Sequence, residues 1–225
     1  KFQALIPLMI SVIGECVGCG EDDAAVQALE VFGEMAESPS PILKPHLEHI
    51  IRAVLTIGAS TDVELPVRDA ALTILSQLAN NKPKTISKMQ LVPVIVETLL
   101  KINTEPVGSD EEDAENDEDE DGMNISASLT PHKMANICFD NVAKALPNKY
   151  VYAPSIQASL NAINSNTVEG VRAGINVLGI ISEGCADKLE QDLDTLIPII
   201  AQAGVQSMDL EVRRAVCYTL GQWAT

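Results

Sequence analysis

The sequence predicts an all-α protein in which about five helix pairs stack as a HEAT-repeat solenoid, an α-α superhelix. Three observations predict this fold. The 225 residues are 46% hydrophobic but only 3% aromatic, a composition that suits helices packed closely on helices. Five segments align with one another without gaps. Each of these segments follows another apolar segment that is built around a proline.

The proline-containing segments are predicted to be the first helices of the pairs. Their prolines are Pro7, Pro45, Pro93, Pro154 and Pro198. We expect each proline in the first turn of its helix, where the missing N–H costs no hydrogen bond. The intervals between them are 38, 48, 61 and 44 residues. Without an insertion of roughly 20 residues in the third interval, all lie near the ~40–47-residue period of HEAT and armadillo repeats.

The second helices of the pairs are predicted from one shared template. Apolar residues recur in it at spacings of three and four, which define the buried face of an amphipathic helix. The aligned segments are 24–36, 67–79, 131–143, 170–182 and 212–224. Their ninth positions hold Phe32, Leu75, Phe139, Leu178 and Leu220. The predicted units are 1–38, 39–84, 85–147, 148–188 and 189–225.

More than half of the net charge of −17 lies in one segment, since the ten acidic residues within 110–121 leave −7 for the rest. Like charges at this density repel one another, so we expect an extended loop at 103–129 within the third unit. Such a loop attracts basic ligands. The alternative is a solubilising loop without a specific partner. The acidic residues are Asp110, Glu111, Glu112, Asp113, Glu115, Asp117, Glu118, Asp119, Glu120 and Asp121.

The composition also excludes several classes of partner. A chain without an overall basic surface is not expected to bind nucleic acid directly or to adhere to anionic membranes. Because no apolar run reaches the ~18 residues of a membrane span, we expect no membrane insertion. The five cysteines are odd in number and mostly lie in apolar segments, which indicates a reducing, intracellular compartment. A basic protein is the expected partner.

A polar stripe recurs at positions 3, 7, 11 and 14 of the second-helix template. One helix layer of a stacked solenoid lines its concave side, and we expect the stripe to lie there and to bind basic cargo. The alternative for any single residue is a solvated surface position. The concave-face candidates are Glu30, Glu34, Glu37, Thr73, Gln77, Asn80, Asn141, Asn176, Glu183, Tyr218 and Gln222.

Arginines recur near the starts of three second helices, at Arg68, Arg172 and Arg213. A small polar residue stands six positions before each of them, and we expect these residues to cap the helices. We also expect Asp62 to pair with Arg68 in a ladder between repeats, with Arg172 on the polar stripe. The expected caps are Asp62, Asn166 and Ser207.

No group of residues indicates an active site, a metal site or a cofactor. Residues 117–121 (Asp-x-Asp-x-Asp) start like an EF-hand loop, but Ser128 stands where a bidentate Glu is required. Cys16 and Cys19 have no second ligand pair to complete a zinc site. The phosphate-binding and nucleophile motifs of common enzymes are missing from the sequence. We therefore predict a protein that is not an enzyme.

Five stretches resemble the β-karyopherin (importin-β) family. The stretches are ALEVFGEMAESPSPILKPHLEHII at 28–51, VRDAALTILSQLANNKPK at 67–84, LTPHKMANICFDNVAKALP at 129–147, VRAGINVLGIISEGCAD at 171–187 and VRRAVCYTLGQWA at 212–224. In this order, with an acidic loop before the third, they are most similar to the importin-4-like branch. The sister branch related to importin-5 is the alternative. The chain lacks an initiator Met, and we expect it to be an internal fragment of a longer protein.

The resemblance implies a transport receptor that shuttles between cytoplasm and nucleus. Its second helices would bind basic cargo such as ribosomal proteins or histones, and the GTP-bound small GTPase Ran would release that cargo. Its outer first helices would contact phenylalanine–glycine nucleoporins. The resemblance also implies that the acidic loop at 110–121 contacts Ran and cargo, and that Trp223 belongs to the core. A static HEAT-repeat scaffold subunit of a multiprotein complex is the alternative function.

Overall fold

The computed structural model describes residues 5–38, 41–106, 130–165 and 167–224. These residues form eleven α-helices and no strand, which confirms the all-α prediction. A 3-10 helix, Pro41–His46, precedes the third α-helix. The α-helices are α1 (Leu5–Cys19), α2 (Asp22–Glu37), α3 (Leu47–Gly58), α4 (Leu65–Asn81), α5 (Pro83–Lys88), α6 (Val92–Asn103), α7 (Pro131–Ala145), α8 (Asn148–Ile163), α9 (Val168–Ile180), α10 (Ala186–Gln206) and α11 (Leu210–Trp223).

Ten of these helices form five pairs, and the short α5 connects the second pair to the third. The pairs are α1 with α2, α3 with α4, α6 with α7, α8 with α9, and α10 with α11. Each second helix packs on the next, from α2 through α4, α7 and α9 to α11. Among the first helices, α6 packs on α8 and α8 on α10. This two-layer stack is the predicted HEAT-repeat solenoid, while the residue boundaries of its units stay a prediction.

The second-helix template identifies the core. Phe32 and Leu75 are buried, as are Phe139 and Leu178, whereas Leu220 is only partly buried. Burying each such side chain contributes about 1.5–3 kcal/mol. Close helix packing depends on small residues in places: a Cβ at Gly174 of α9 would lie 2.6 Å from a backbone oxygen of α8.

The prolines mark the first helices but not always their first turns. Pro93 is the second residue of α6, and Pro45 lies in the 3-10 helix. The expected first-turn position is wrong for Pro154 and Pro198, which lie inside α8 and α10. The start of α10 is shifted upstream because Leu189 and Leu196, seven residues apart, are already buried on one helix face.

The caps of the second helices differ from those expected. Thr130 Oγ1 accepts a bond from the Lys133 N–H (3.2 Å), and Thr167 and Asp209 cap α9 and α11 in the same way. Helix α4 has no side-chain cap and begins with proline at its second position. The expected caps Asp62 and Ser207 are therefore wrong, because the helices begin later than expected. The third expected cap, Asn166, lies outside the described residues.

Membrane insertion was not expected from the sequence. Across the described ranges, every helix is too short or too polar to cross a bilayer.

Candidate protein-binding surface

The predicted stripe lies on the solvent-facing side of the second helices α2 and α4. Gln77 of α4 is half-buried, and its Nε2 donates a hydrogen bond to Glu37 Oε1 of α2 over 3.2 Å. This bond joins the stripes of two successive helix pairs. The exposed candidates on these helices are Glu30, Glu34, Glu37, Thr73 and Asn80.

The other candidates continue the surface along α7, α9 and α11. Asn141 and Asn176 are half-buried, while Glu183, Tyr218 and Gln222 are exposed. The structure thus leaves polar side chains of all five second helices, or of the residues directly after them, accessible to a partner. Together they form a continuous series in the order of the stacked helices.

A lysine held by two carboxylates lies within this surface. Lys144 Nζ of α7 is 2.9 Å from Asp140 Oδ2, and 2.7 Å from Glu183 Oε2 beyond the end of α9. Glu183 first and then Asp140 raise the pKa of Lys144 by favouring its charged form. Burial and, next, the negative charge of Asp140 raise the pKa of Tyr218 on α11. We call Asp140, Lys144, Glu183 and Tyr218 the Lys144 patch.

Sequence reasoning selected Glu183 and Tyr218 but missed Asp140 and Lys144. A signal for Lys144 was present: it occupies template position 14, as Glu37, Asn80 and Glu183 do. Being basic, it did not match the expectation of an acidic and amide-bearing stripe.

A second group of polar side chains lies on the turn side of the pairs and is mostly buried. Arg68 of α4 is 3% exposed and donates through Nε to the Gly58 carbonyl over 2.9 Å. Its two Nη groups bind both carboxylate oxygens of Glu105, which follows α6. The expected pairing of Arg68 with Asp62 is wrong, since a carboxylate from the next pair occupies the guanidinium.

Arg172 of α9 reaches the same place. It is 6% exposed, so its expected place on the polar stripe is wrong. Its Nη2 donates to the carbonyls of Asn103 and Glu105 over 2.9 and 3.1 Å, and lies 2.6 Å from His132 Nε2. We call Arg68, Asn103, Glu105, His132 and Arg172 the Glu105 cluster.

His132 completes the Glu105 cluster from α7. Its Nε2 lies 2.6 Å from the Glu105 carbonyl oxygen as well as from Arg172. An Nε2 lone pair accepts from Arg172, whereas an Nε2–H donates to the carbonyl, so the tautomer selects the bond. Burial first, and then the charge of Arg172, lower the pKa of His132. The folded chain therefore favours the neutral form of the His132 imidazole.

The Glu105 cluster escaped sequence reasoning because its members come from four helices far apart in the sequence. The acidic residues 110–121 lie outside the described residues. Within the described ranges, no cluster of three or more His, Cys, Asp or Glu side chains could hold a metal ion.

Comparison with known proteins identifies similar chains over the whole length. Importin-4 of Mus musculus is 28% identical over 226 residues, which cover 99% of this chain and 21% of the relative. Importin subunit beta-3 of Saccharomyces cerevisiae is 26% identical over 229 residues, covering 100% of this chain and 20% of the relative. The chain thus spans about a fifth of the length of these relatives. No family model matches it.

Solved structures of the karyopherin Kap121p share the fold. The complex of Kap121p with RanGTP matches with a TM-score of 0.86 and 25% identity, over 100% of this chain and 22% of that chain. The complex of Kap121p with Nup53p matches with a TM-score of 0.85 and 25% identity, over 99% of this chain and 22% of that chain. The similarity therefore extends over all five helix pairs.

Proposed function

Because the chain belongs to the β-karyopherin family, as an internal HEAT-repeat stretch of its importin-4-like branch, we propose that it binds basic cargo within a nuclear transport receptor. Its relatives are importins, which are transport receptors and not enzymes. The proposed cargo includes ribosomal proteins and histones. The proposed receptor shuttles between cytoplasm and nucleus and releases cargo when GTP-bound Ran binds.

One observation carries this proposal: the Lys144 ammonium lies between carboxylates of two successive helix pairs. The same geometry would accept a lysine of a partner. Charge-assisted bonds of this kind are about twice as strong as neutral ones. Glu30, Glu34 and Glu37 on α2 offer further carboxylates to basic side chains, with the amide of Gln77 beside them.

The acidic residues 110–121 support the proposal through their composition. Ten carboxylates in twelve residues raise the encounter rate of a basic partner, and salt screens the effect. The test is the affinity for a lysine-rich peptide at about 50 and 200 mM salt, with and without residues 109–122. The deletion should weaken binding at low salt more than at high salt. Equal affinities of the two forms would remove this segment from the mechanism.

Release by Ran distinguishes a receptor from a static scaffold. Kap121p has been solved with RanGTP, with the proteins Ste12p and Pho4p, and with Nup53p. For this chain we propose the same classes of partner, tested within the longest available form of the protein. GTP-bound Ran should displace the basic peptide and GDP-bound Ran should not. A peptide that stays bound in both cases would favour the scaffold.

The first-helix layer offers a surface for phenylalanine–glycine nucleoporins. A groove between α6 and α8 is lined by Pro93 and Leu100 on one side and by Pro154 and Ala158 on the other. Such apolar walls suit a phenylalanine side chain. Replacing Ala158 by Glu should abolish binding of a phenylalanine–glycine peptide without weakening a lysine-rich peptide. Unchanged binding of the phenylalanine–glycine peptide would exclude this groove.

A further inference from the structure

We propose that the Glu105 cluster is a clamp that locks the second, third and fourth helix pairs into one unit and holds Glu105 against His132. Glu105 is the positioning residue of this clamp. This inference rests on the proposed function in one respect only, namely the identity of the partners that bind the surfaces held by the clamp.

The clamp connects helices of three successive pairs through one residue. The Glu105 carboxylate holds Arg68 of the second pair, and its carbonyl accepts from Arg172 of the fourth pair. Arg68 also bonds to the Gly58 carbonyl at the end of α3, and Arg172 to the Asn103 carbonyl at the end of α6. Each arginine therefore ties its own second helix to the last carbonyls of a first helix. Movement of Glu105 must shift both arginines.

The clamp crosses the junction at which the second-helix layer is least tightly packed. Helices α7 and α9 touch over a shorter stretch than α2 with α4, α4 with α7, or α9 with α11. In a solenoid each repeat is held mainly by its neighbours, so a weak contact is a point of flexing. Polar bonds from Arg172 to Asn103 and Glu105 span this junction. They add to the packing of α6 on α8, which joins the same two pairs through the first-helix layer.

The described residues on either side of 107–129 lie at the clamp. His132 Nε2 and the Glu105 carbonyl oxygen, 2.6 Å apart, join positions 27 residues apart in the chain. Thr130, which is 4% exposed, caps α7 directly beside His132. The clamp thus fixes Glu105 and His132 relative to the second-helix face.

Burial makes this coupling stiff. Arg68, His132 and Arg172 are each less than 9% exposed, so water cannot replace a lost partner. Removing one partner from such a group leaves the others buried without compensation. Loss of the Glu105 carboxylate should therefore destabilise α4 and α9 as well as the third helix pair.

Amide hydrogen exchange of the purified chain tests the clamp. Glu105→Gln keeps the size of the side chain but places an amide N–H₂ against the Arg68 guanidinium. We expect exchange at least tenfold faster in the N-terminal halves of both α4 and α9, which report local opening. The matched control is Glu190→Gln, which removes the same charge from an exposed position of α10 and should leave both helices unchanged. Faster exchange confined to α6 and α7, or an equal response in the control, would overturn the proposal.

A second variant keeps the test decisive if Glu105→Gln does not fold. Arg172→Met keeps a long side chain but removes the N–H donors that bond to the Asn103 and Glu105 carbonyls. It should speed exchange in α9 and at the end of α6 while leaving α4 protected, and unchanged exchange in α9 would contradict the clamp. These measurements need no cargo. Failure of the proposed function would appear separately, as a wild-type chain that does not bind a lysine-rich peptide.

Discussion

Charged side chains join successive helix pairs in two regions of the solenoid, the Glu105 cluster and the Lys144 patch. In the first, Arg68 is 3% exposed and the Glu105 side chain 17%. In the second, the Lys144 side chain is 40% exposed and the Glu183 side chain 74%. Both regions contain a cation held by carboxylate oxygens from neighbouring pairs. They differ in how far water reaches the charges.

We expect this difference in solvent exposure to give the Glu105 cluster a structural role and the Lys144 patch a role in binding. Water screens the Lys144 patch, so its ion pairs contribute little to folding and can exchange with the charges of a partner. The Glu105 cluster has no such freedom, because breaking a buried pair leaves an uncompensated charge. The same types of side chain therefore hold the solenoid together on its turn side and stay accessible to water on its second helices, where we propose that basic partners bind.

Two arginine–glutamate pairs give the largest predicted contrast. Arg68→Ala should lower the free energy of unfolding by about 3–5 kcal/mol, because Glu105 and the Gly58 carbonyl lose their partner. Arg52→Ala breaks an exposed pair with Glu48, 3.0 Å apart, and should cost at most about 1 kcal/mol. Denaturant unfolding of both variants measures the difference. Similar losses in both would contradict the comparison.

The next prediction concerns the pH dependence of folding. Burial and Arg172 lower the pKa of His132 below its ordinary value of 6.5, so the unfolded chain takes up this proton more readily. Stability from this group is fully present above about pH 6.5 and is lost as the pH falls toward the lowered pKa. His132→Gln should remove this part of the pH dependence. A variant whose unfolding free energy falls as steeply as that of the wild type would exclude the effect.

The smallest predicted effect lies in the Lys144 patch. Lys144→Ala should change the free energy of unfolding by less than about 1 kcal/mol, because its partners are exposed. It should raise the affinity for a lysine-rich peptide by up to about fivefold, since Asp140 and Glu183 lose their internal cation. Titration calorimetry measures this change. Weaker peptide binding would show that Lys144 itself contacts the partner.

The fold was predictable from the sequence because its signals are local. Phe32, Leu75, Phe139 and Leu178 share one template position, and a period of three and four residues defines a buried helix face without knowledge of the tertiary structure. Helix starts were less predictable. Pro198 was expected in the first turn of α10, but the helix begins twelve residues earlier, at Ala186.

The sites were predictable only in part. Helix periodicity alone predicted Glu30, Glu34 and Tyr218 as surface residues, and all three are exposed in the structure. The partner of Arg68 could not be predicted in this way, because Glu105 stands 37 residues later and beyond two further helices. Such contacts depend on how neighbouring pairs stack, and single-helix patterns carry no information about stacking.

We propose that the second-helix face binds basic partners through its exposed carboxylates. The most direct measurement compares the affinity of a lysine-rich peptide for the wild type and two double variants. Glu30→Lys with Glu34→Lys reverses charge on α2, and the matched control, Glu190→Lys with Asp194→Lys, makes the same change on exposed positions of α10 in the first-helix layer. We predict that the α2 variant binds at least tenfold more weakly at about 100 mM salt, while the α10 variant stays within about threefold of the wild type. Equal losses in both variants would mean that net charge alone attracts the peptide, and would contradict a binding site on the second helices.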